Sequence, residues 1–380
     1  MSLLGTHLSV LAGPTVPLPL PPDVTQRVRS VTVTESDRGR SAFTITLDAG
    51  RSGPAAAADT PALTTSPLRP NARVVVLLTR GVLPQTLVDG IVTETTFQPG
   101  GTDQRAEISV TGQDVSLLLD RNELAAEHIG LEDSLQVLRI AGPYATQRIV
   151  PLVLPPPVMN PPLPMERTPT QQGTDWQHLQ QLARWHGYVC YVVPGPFPGP
   201  TTLYWGPAVR VGVPQPALSV DLGSATNVRG AVSFRTDVLA PELVAGEVQD
   251  PRAGTTIPVR TVAPTRPPLA AFPVSAEHRA QLRTRLLRDP GAGATSALGR
   301  AQGVTDATAD AVTATGTLSG GEYGSVLRPR ALVGMRGAGL VNDGLWYVKQ
   351  VVHRVARGSY TADFTLTRDG YGALSPVVRV

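Results

Sequence analysis

Apolar and polar residues alternate along much of this chain, and the alternation predicts strands. Arg29 to Thr34 reads R-S-V-T-V-T and Ala42 to Leu47 reads A-F-T-I-T-L. Val31 and Val33, then Phe43, Ile45 and Leu47, therefore share one face of a pleated strand. Asp37-Arg38-Gly39-Arg40 between them is a turn signal. Arg73 to Thr79 is a continuous apolar run, as expected of a strand covered on both faces. Leu87 to Phe97 and Arg105 to Thr111 follow a loop rich in Ala, Pro and Thr over about residues 50–70. Together these strands are enough to curl into a small barrel. The first 26 residues read as an extended arm, because Pro14, Pro17, Pro19, Pro21 and Pro22 deny it a regular ladder.

The period then changes. Val115, Leu118, Leu119 and Asn122 fall at helical spacing and predict a helix over Asp114 to Ala126. Leu131 to Ile140 predicts a second, with Glu132 and Asp133 complementing the dipole of its first turn. Pro151, Pro155 to Pro157, Pro161, Pro162 and Pro164 predict a stiff connector. The clearest helix follows: Thr174 is its N-cap, Trp176, Leu179, Leu182 and Ala183 its apolar stripe, and Gly187 its stop. Gln177, Gln181 and Arg184 fall opposite the stripe. Tyr188 to Val193 and Thr202 to Trp205 are strands. Further strands are expected over 227–236, 243–248 and 257–262, and helices over Ala276 to Arg288 and about Ala297 to Ala311. The end is β again: Val312 to Leu318, Ala331 to Met335, then a hairpin of Leu345 to Val355 and Ser359 to Thr367 about Arg357-Gly358.

These elements predict a mainly β chain with helical inserts (α+β). Two β-barrel modules, 27–112 and 227–380, flank a helical insert (113–150), a Pro-rich linker (151–172) and a small α/β module (173–226). The second β-module carries a helical insert at about 264–311. Composition agrees: 37 Gly and 37 Pro among 380 residues disfavour a helical bundle.

Charge and chemistry narrow the function classes. No run of 18 apolar residues could span a bilayer. The apolar start, Leu3 to Leu20, is broken by Gly and Pro and lacks the basic flank of a signal peptide, so the chain is expected to begin life in the cytoplasm. A net charge of +3 without a basic block argues against nucleic-acid recognition. Cys190, the single cysteine, sits in an apolar strand and reads as a buried inert thiol. No nucleotide, zinc-protease, hydrolase or EF-hand motif is present. Gly337-Ala338-Gly339 reads as a tight turn. The six histidines, His7, His128, His178, His186, His278 and His353, are scattered and expected at surfaces or interfaces. Asp175 and Asp369 read as a helix start and a turn rather than an acid pair. The expectation is a non-enzyme with no cofactor and no metal. Its clustered aromatics would serve a core or a subunit interface.

Several segments carry a resemblance. Thr174-Asp175-Trp176-Gln177-His178-Leu179-Gln180-Gln181-Leu182-Ala183-Arg184-Trp185-His186-Gly187-Tyr188 resembles a signature of the phage late-control D and baseplate-hub family, the hub half of VgrG-type proteins. Leu345 to Arg354 and Tyr360 to Arg368 are similar to the two closing strands of that family. Gly112 to Arg121 is similar to its step from first barrel to helix. Leu8 to Pro17 and Val31 to Leu47 resemble hubs of actinobacterial extracellular contractile injection systems.

The resemblance implies two tail-tube-type barrels per chain and a homotrimeric ring that adapts a hexameric inner tube to a trimeric spike. Its implied partners are the inner tube protein, a spike protein, and baseplate wedge or adaptor proteins. In VgrG-type proteins an OB-fold and a β-helical spike follow the hub; here the sequence stops at Val380, so the expectation is either a spike protein on a separate chain or a sequence that ends ahead of its spike. The alternatives are a tail-tip hub of a non-contractile phage and, more distantly, a tail-associated cell-wall hydrolase. The structural or interface candidates are Trp176, Leu179, Leu182, Trp185, Tyr188, Trp205, Trp346, Tyr347, His353, Tyr360 and Phe364.

Overall fold

The computed structural model describes residues 6–49, 67–81, 83–100, 106–159, 168–249, 254–288 and 293–374. The chain is mainly β with helical inserts. One 13-stranded sheet dominates. Its path runs Val228–Thr236, Val312–Ser319, Ser359–Arg368, Gly344–Ala356, Val28–Ser36, Ala42–Asp48, Glu107–Asp114, Pro84–Gln98, Arg73–Thr79, His7–Gly13 and Leu18–Pro19. Leu332–Arg336 pairs with the start of Gly344–Ala356, and Gln215–Ser219 joins it in parallel. The period-two pattern explains the layering. Val31, Val33, Phe43, Ile45, Val110, Val351, Phe364 and Leu366 point into one continuous core, while Ser30, Thr32, Thr34, Thr44, Thr46, Ser109 and Thr111 stand half-exposed on the other face.

The sheet contains an internal repeat that no sequence periodicity announced. In the N-terminal half, Val28–Ser36, Ala42–Asp48, Pro84–Gln98 and Glu107–Asp114 are the first to fourth strands of a unit ordered first-second-fourth-third. In the C-terminal half, Val228–Thr236, Val312–Ser319, Gly344–Ala356 and Ser359–Arg368 repeat that order. The irregularities repeat too. The third strand bulges between Val92 and Glu94 in one unit and between Val348 and Gln350 in the other. The first strand also shifts register in both units, by one residue between Val28 and Ser30 and by two between Arg229 and Ser233. A bulge adds one unpaired residue and bends its strand, so matching bulges mean matching curvature. The units join edge to edge. The third strand of the C-terminal unit pairs antiparallel with the first of the N-terminal unit, from Gln350 opposite Ser36 to Ala356 opposite Ser30.

Between the units, the Asp175–Trp185 helix packs on a three-stranded sheet of Val189–Pro194, Thr201–Gly206 and Ile149–Val153. The Ala294–Thr308 helix covers a second small sheet built on Glu242–Gln249.

Four expectations are corrected. The start of the extended arm does form a regular ladder: His7–Gly13 pairs along its whole length with Arg73–Thr79, because the prolines begin only at Pro14 and every earlier N–H is free to bond. Asp114 to Ala126 is not a helix. Asp114 caps a single 3-10 stretch, Val115–Asp120, and Glu123–Glu127 is a strand paired with Thr170–Thr174. Ala276 to Arg288 also breaks up, since Arg283–Leu286 pairs with Glu242–Ala245 and tertiary pairing outweighs helix propensity. The Pro-rich linker begins inside a strand, Ile149–Val153, and only then reaches Pro155 to Pro157. Pro161, Pro162, Pro164 and most of the 50–70 loop lie outside the described residues.

Candidate functional site

The middle module is anchored by local sequence. The Thr174 hydroxyl accepts from the Gln177 amide at 3.3 Å, and the Gln177 side chain accepts from the Thr174 amide at 3.3 Å, forming a capping box. The helix then buries Trp176, Leu179, Leu182 and Ala183 against Cys190, Val192, Leu203 and Trp205. The Trp205 indole donates to the Leu179 carbonyl at 3.3 Å, and Tyr188 meets the Trp205 ring edge-on at 5.0 Å. Gly187, at φ +66, ends the helix where a Cβ would lie 2.3 Å from the Gly303 carbonyl oxygen. The close approach of the Ala294–Thr308 helix therefore needs glycine at that position.

Two histidines expected at surfaces are buried here. His128 and His178 stack with centroids 5.5 Å apart and planes at 19°. Each is held through Nε2, His128 by Gln171 at 3.2 Å and His178 by Gln136 at 3.4 Å. Both Nδ1 atoms are buried without a partner. Burial lowers the pKa of His178, His128 adds to that effect, and Asp133 and Asp175 oppose it. Asp175, read from sequence as a helix start, also accepts from Tyr144 at 2.8 Å and from Gln171 at 2.7 Å.

A second polar cluster fastens the two halves and the middle module together. Arg328 donates to Glu35 at 3.0 Å and to the Thr86 carbonyl at 2.6 Å. His353, also buried, meets Glu35 at 3.2 Å and the Tyr360 hydroxyl at 3.0 Å. Burial disfavours the Glu35 carboxylate. Arg328, then His353 and Arg330, outweigh that effect and hold its pKa below the usual carboxylate range. Arg330 donates to the Ser36 carbonyl at 2.8 Å, the Val192 carbonyl at 2.9 Å and the Ser41 hydroxyl at 3.3 Å, and it stacks 4.0 Å over Tyr191. One side chain of the C-terminal half thus grips the N-terminal half and the middle module.

Among the described residues, one stretch of each four-stranded unit lies at an open edge of the 13-stranded sheet. Val228–Thr236 has a strand neighbour on one side only. The Pro84–Gln98 strand pairs on both sides up to Ile91, but its Glu94–Gln98 portion pairs only with Glu107–Thr111. Between these edges the half-exposed face is rich in Ser and Thr. Two ion pairs cross this face: Arg29 with Glu107 at 3.1 Å and Arg354 with Asp363 at 2.9 Å.

Among the residues picked out from sequence, Trp176, Leu179, Leu182 and Trp205 meet in the middle module. Trp185 and Tyr188 border it half-exposed, Trp185 beneath the Arg300 guanidinium at 4.1 Å. Trp346 and Phe364 lie in the large core, with Arg368 stacked 4.2 Å over Trp346. His353 and Tyr360 form the Glu35 cluster, and Tyr347 is buried near Arg210. Sequence reasoning missed Glu35, Arg328, Arg330, His128 and Phe97. For Glu35 a signal existed: it continues the inward series of Val31 and Val33, so a carboxylate there must be buried and paired. Asp369, read as a turn residue, is buried and accepts from the Leu269 and Ala270 amides.

The arrangement joins modules and shows no nucleophile held by a base. Burial pushes the Cys190 thiol far above its ordinary pKa. Among the described residues no three His, Cys, Asp or Glu side chains gather to hold a metal ion, and no helix is long and apolar enough to cross a membrane.

No protein-family profile matches the chain, and no curated protein does. Solved structures match it along nearly its whole length. A tail protein from Neisseria meningitidis superposes with a TM-score of 0.63 at 14% identity, covering 96% of this chain and 97% of that one. A 43 kDa tail protein of prophage MuSo2 from Shewanella oneidensis gives 0.64 at 13%, covering 96% and 99%. A type VI secretion component from E. coli, described as structurally similar to T4 phage tail proteins, gives 0.54 at 12%, covering 99% and 80%. The chain therefore has the fold of phage tail proteins and of a type VI secretion component similar to them.

Proposed function

We propose that this chain is a structural hub of a phage tail-like contractile particle. It acts as a homotrimeric ring that adapts a hexameric inner tube to a trimeric spike. The observation that carries this reading is the internal repeat. Two units of one topology, with matching bulges, are joined into one curved sheet. Three such chains present six equivalent units, the number a hexameric tube requires, while the body keeps threefold symmetry. The fold shared with tail proteins supports the same reading. The middle module, at one level of the chain, breaks the sixfold repeat and supplies a surface for the spike and the baseplate wedge or adaptor proteins. Gold labelling of an epitope on this chain in purified particles tests it. A single label at one tube end is expected; label along the whole shaft, or none on the particle, overturns it.

A further inference from the structure

The internal repeat specifies how copies meet. Superimposing the two units through their registers makes Val92 equivalent to Val348 and Glu94 to Gln350, on either side of the shared bulge. Thr95, Thr96, Phe97 and Gln98 then correspond to Val351, Val352, His353 and Arg354. In the first strands, Thr32 corresponds to Ser233 and Val33 to Phe234, because their partners Thr44 and Thr315 hold the same place in the second strands. Within the chain, the third strand of one unit pairs with the first of the other, with His353 opposite Val33. The two open stretches belong to the remaining third and first strands.

We infer that copies of this chain join by repeating that junction: Thr95–Gln98 of one copy pairs antiparallel with Ser233–Thr236 of the next. This deepens the hub reading and rests on it. The register follows by transfer: Thr95 faces Thr236, Thr96 faces Arg235, Phe97 faces Phe234 and Gln98 faces Ser233.

Two further observations fit this pairing. Phe97 is 38% exposed, whereas its equivalent His353 is 0% exposed beneath the existing junction. A large apolar side chain left open at one edge is the residue a neighbouring strand would cover, and aromatic cross-strand pairs are among the favourable ones. The facing edges carry charges of both signs: Glu94 lies on one, Arg229, Arg235 and Asp237 on the other, and the same register sets Glu94 opposite Asp237 and diagonal to Arg235. Neither stretch carries proline or lysine, the residues that commonly block an exposed edge. The contact is head-to-tail, so it produces a closed ring only when the repeated rotation closes.

The test is a disulfide across the junction. Within one chain Thr96→Cys and Arg235→Cys sit on strands seven places apart in the sheet order, so a cross-link between them reports a contact between copies. Directly opposed strand residues lie about 4.5–5.5 Å apart between Cα atoms, within disulfide reach. Oxidation of assembled particles carrying both substitutions should give a covalent ladder ending at three chains, and neither single variant should cross-link. Phe97→Asp should melt with the parent as a free chain yet lose the ladder in the double-cysteine background. A threefold ring that forms without the cross-link overturns the pairing and leaves the hub reading standing. Particles with no ring of this chain overturn both.

Discussion

Arg330 offers the sharpest test of how the modules are held. Its guanidinium makes three hydrogen bonds that span both halves and the middle module, and it stacks on Tyr191. Each hydrogen bond from a charged donor contributes about 1.5–3 kcal/mol, and a desolvated cation–π contact about 2 kcal/mol. These contributions are not additive, and water entering the vacated space satisfies part of what is lost. Each buried acceptor left unsatisfied costs about 1–3 kcal/mol, so about 3–5 kcal/mol is the expected net loss for Arg330→Ala. Arg330 also sits at φ +66, a left-handed conformation unusual for a residue with a Cβ. Arg330→Gly loses the same contacts but relieves that strain, so it should recover about 1 kcal/mol relative to alanine. Urea unfolding of parent, alanine and glycine variants measures both effects. Hydrogen exchange should quicken together in the Ser36 to Ser41 turn and in Val189–Pro194. If both variants unfold within about 1 kcal/mol of the parent, Arg330 is not the fastening drawn here.

Four further outcomes are expected. Trp176→Ala should cost about 3–5 kcal/mol because Trp176 is 7% exposed in the middle core, whereas Gln181→Ala, on the exposed face, should stay within about 0.5 kcal/mol in a parallel melt. The folded His178 pKa lies below its unfolded value of about 6.5, so the unfolded chain binds more protons just below that pH. Stability should be full above pH about 6.5 and fall as pH drops through that value, and His178→Gln should flatten the slope in melts from pH 7.5 to 5. Glu35 has a lowered pKa, so its contribution should persist at pH 5 and fade only below about pH 4.5, a separate limb that Glu35→Gln should abolish. Cys190 should react with a maleimide only on unfolding, because its thiol is 1% exposed and burial raises its pKa.

Much of the fold was legible because most strands here carry one wet face. Alternation located Val28–Ser36, Ala42–Asp48, Gly344–Ala356 and Ser359–Arg368 to within two residues, and the Thr174 cap located the middle helix. Legibility failed where pairing partners lie far away. Nothing in Arg283–Leu286 announces Glu242–Ala245 as its neighbour. Nothing in Glu123–Glu127 announces Thr170–Thr174. Two similar barrel modules were expected, but their strand-by-strand equivalence escaped for the same reason. It resides in strand order and bulge position, and Phe97 and His353 occupy equivalent places with unrelated chemistry. The buried clusters were hidden by composition: isolated His128, His178 and Arg330 look like surface residues until the fold brings Gln171, Gln136 and Ser36 to them.

A reconstruction of the intact particle, computed at the tube–spike junction without imposed symmetry, weighs the whole account most directly. It should show three copies of this chain in one ring, their six four-stranded units continuous around the axis and in line with the tube subunits. Six copies in that ring, or a ring in which the two units of each chain do not occupy equivalent positions, would contradict it.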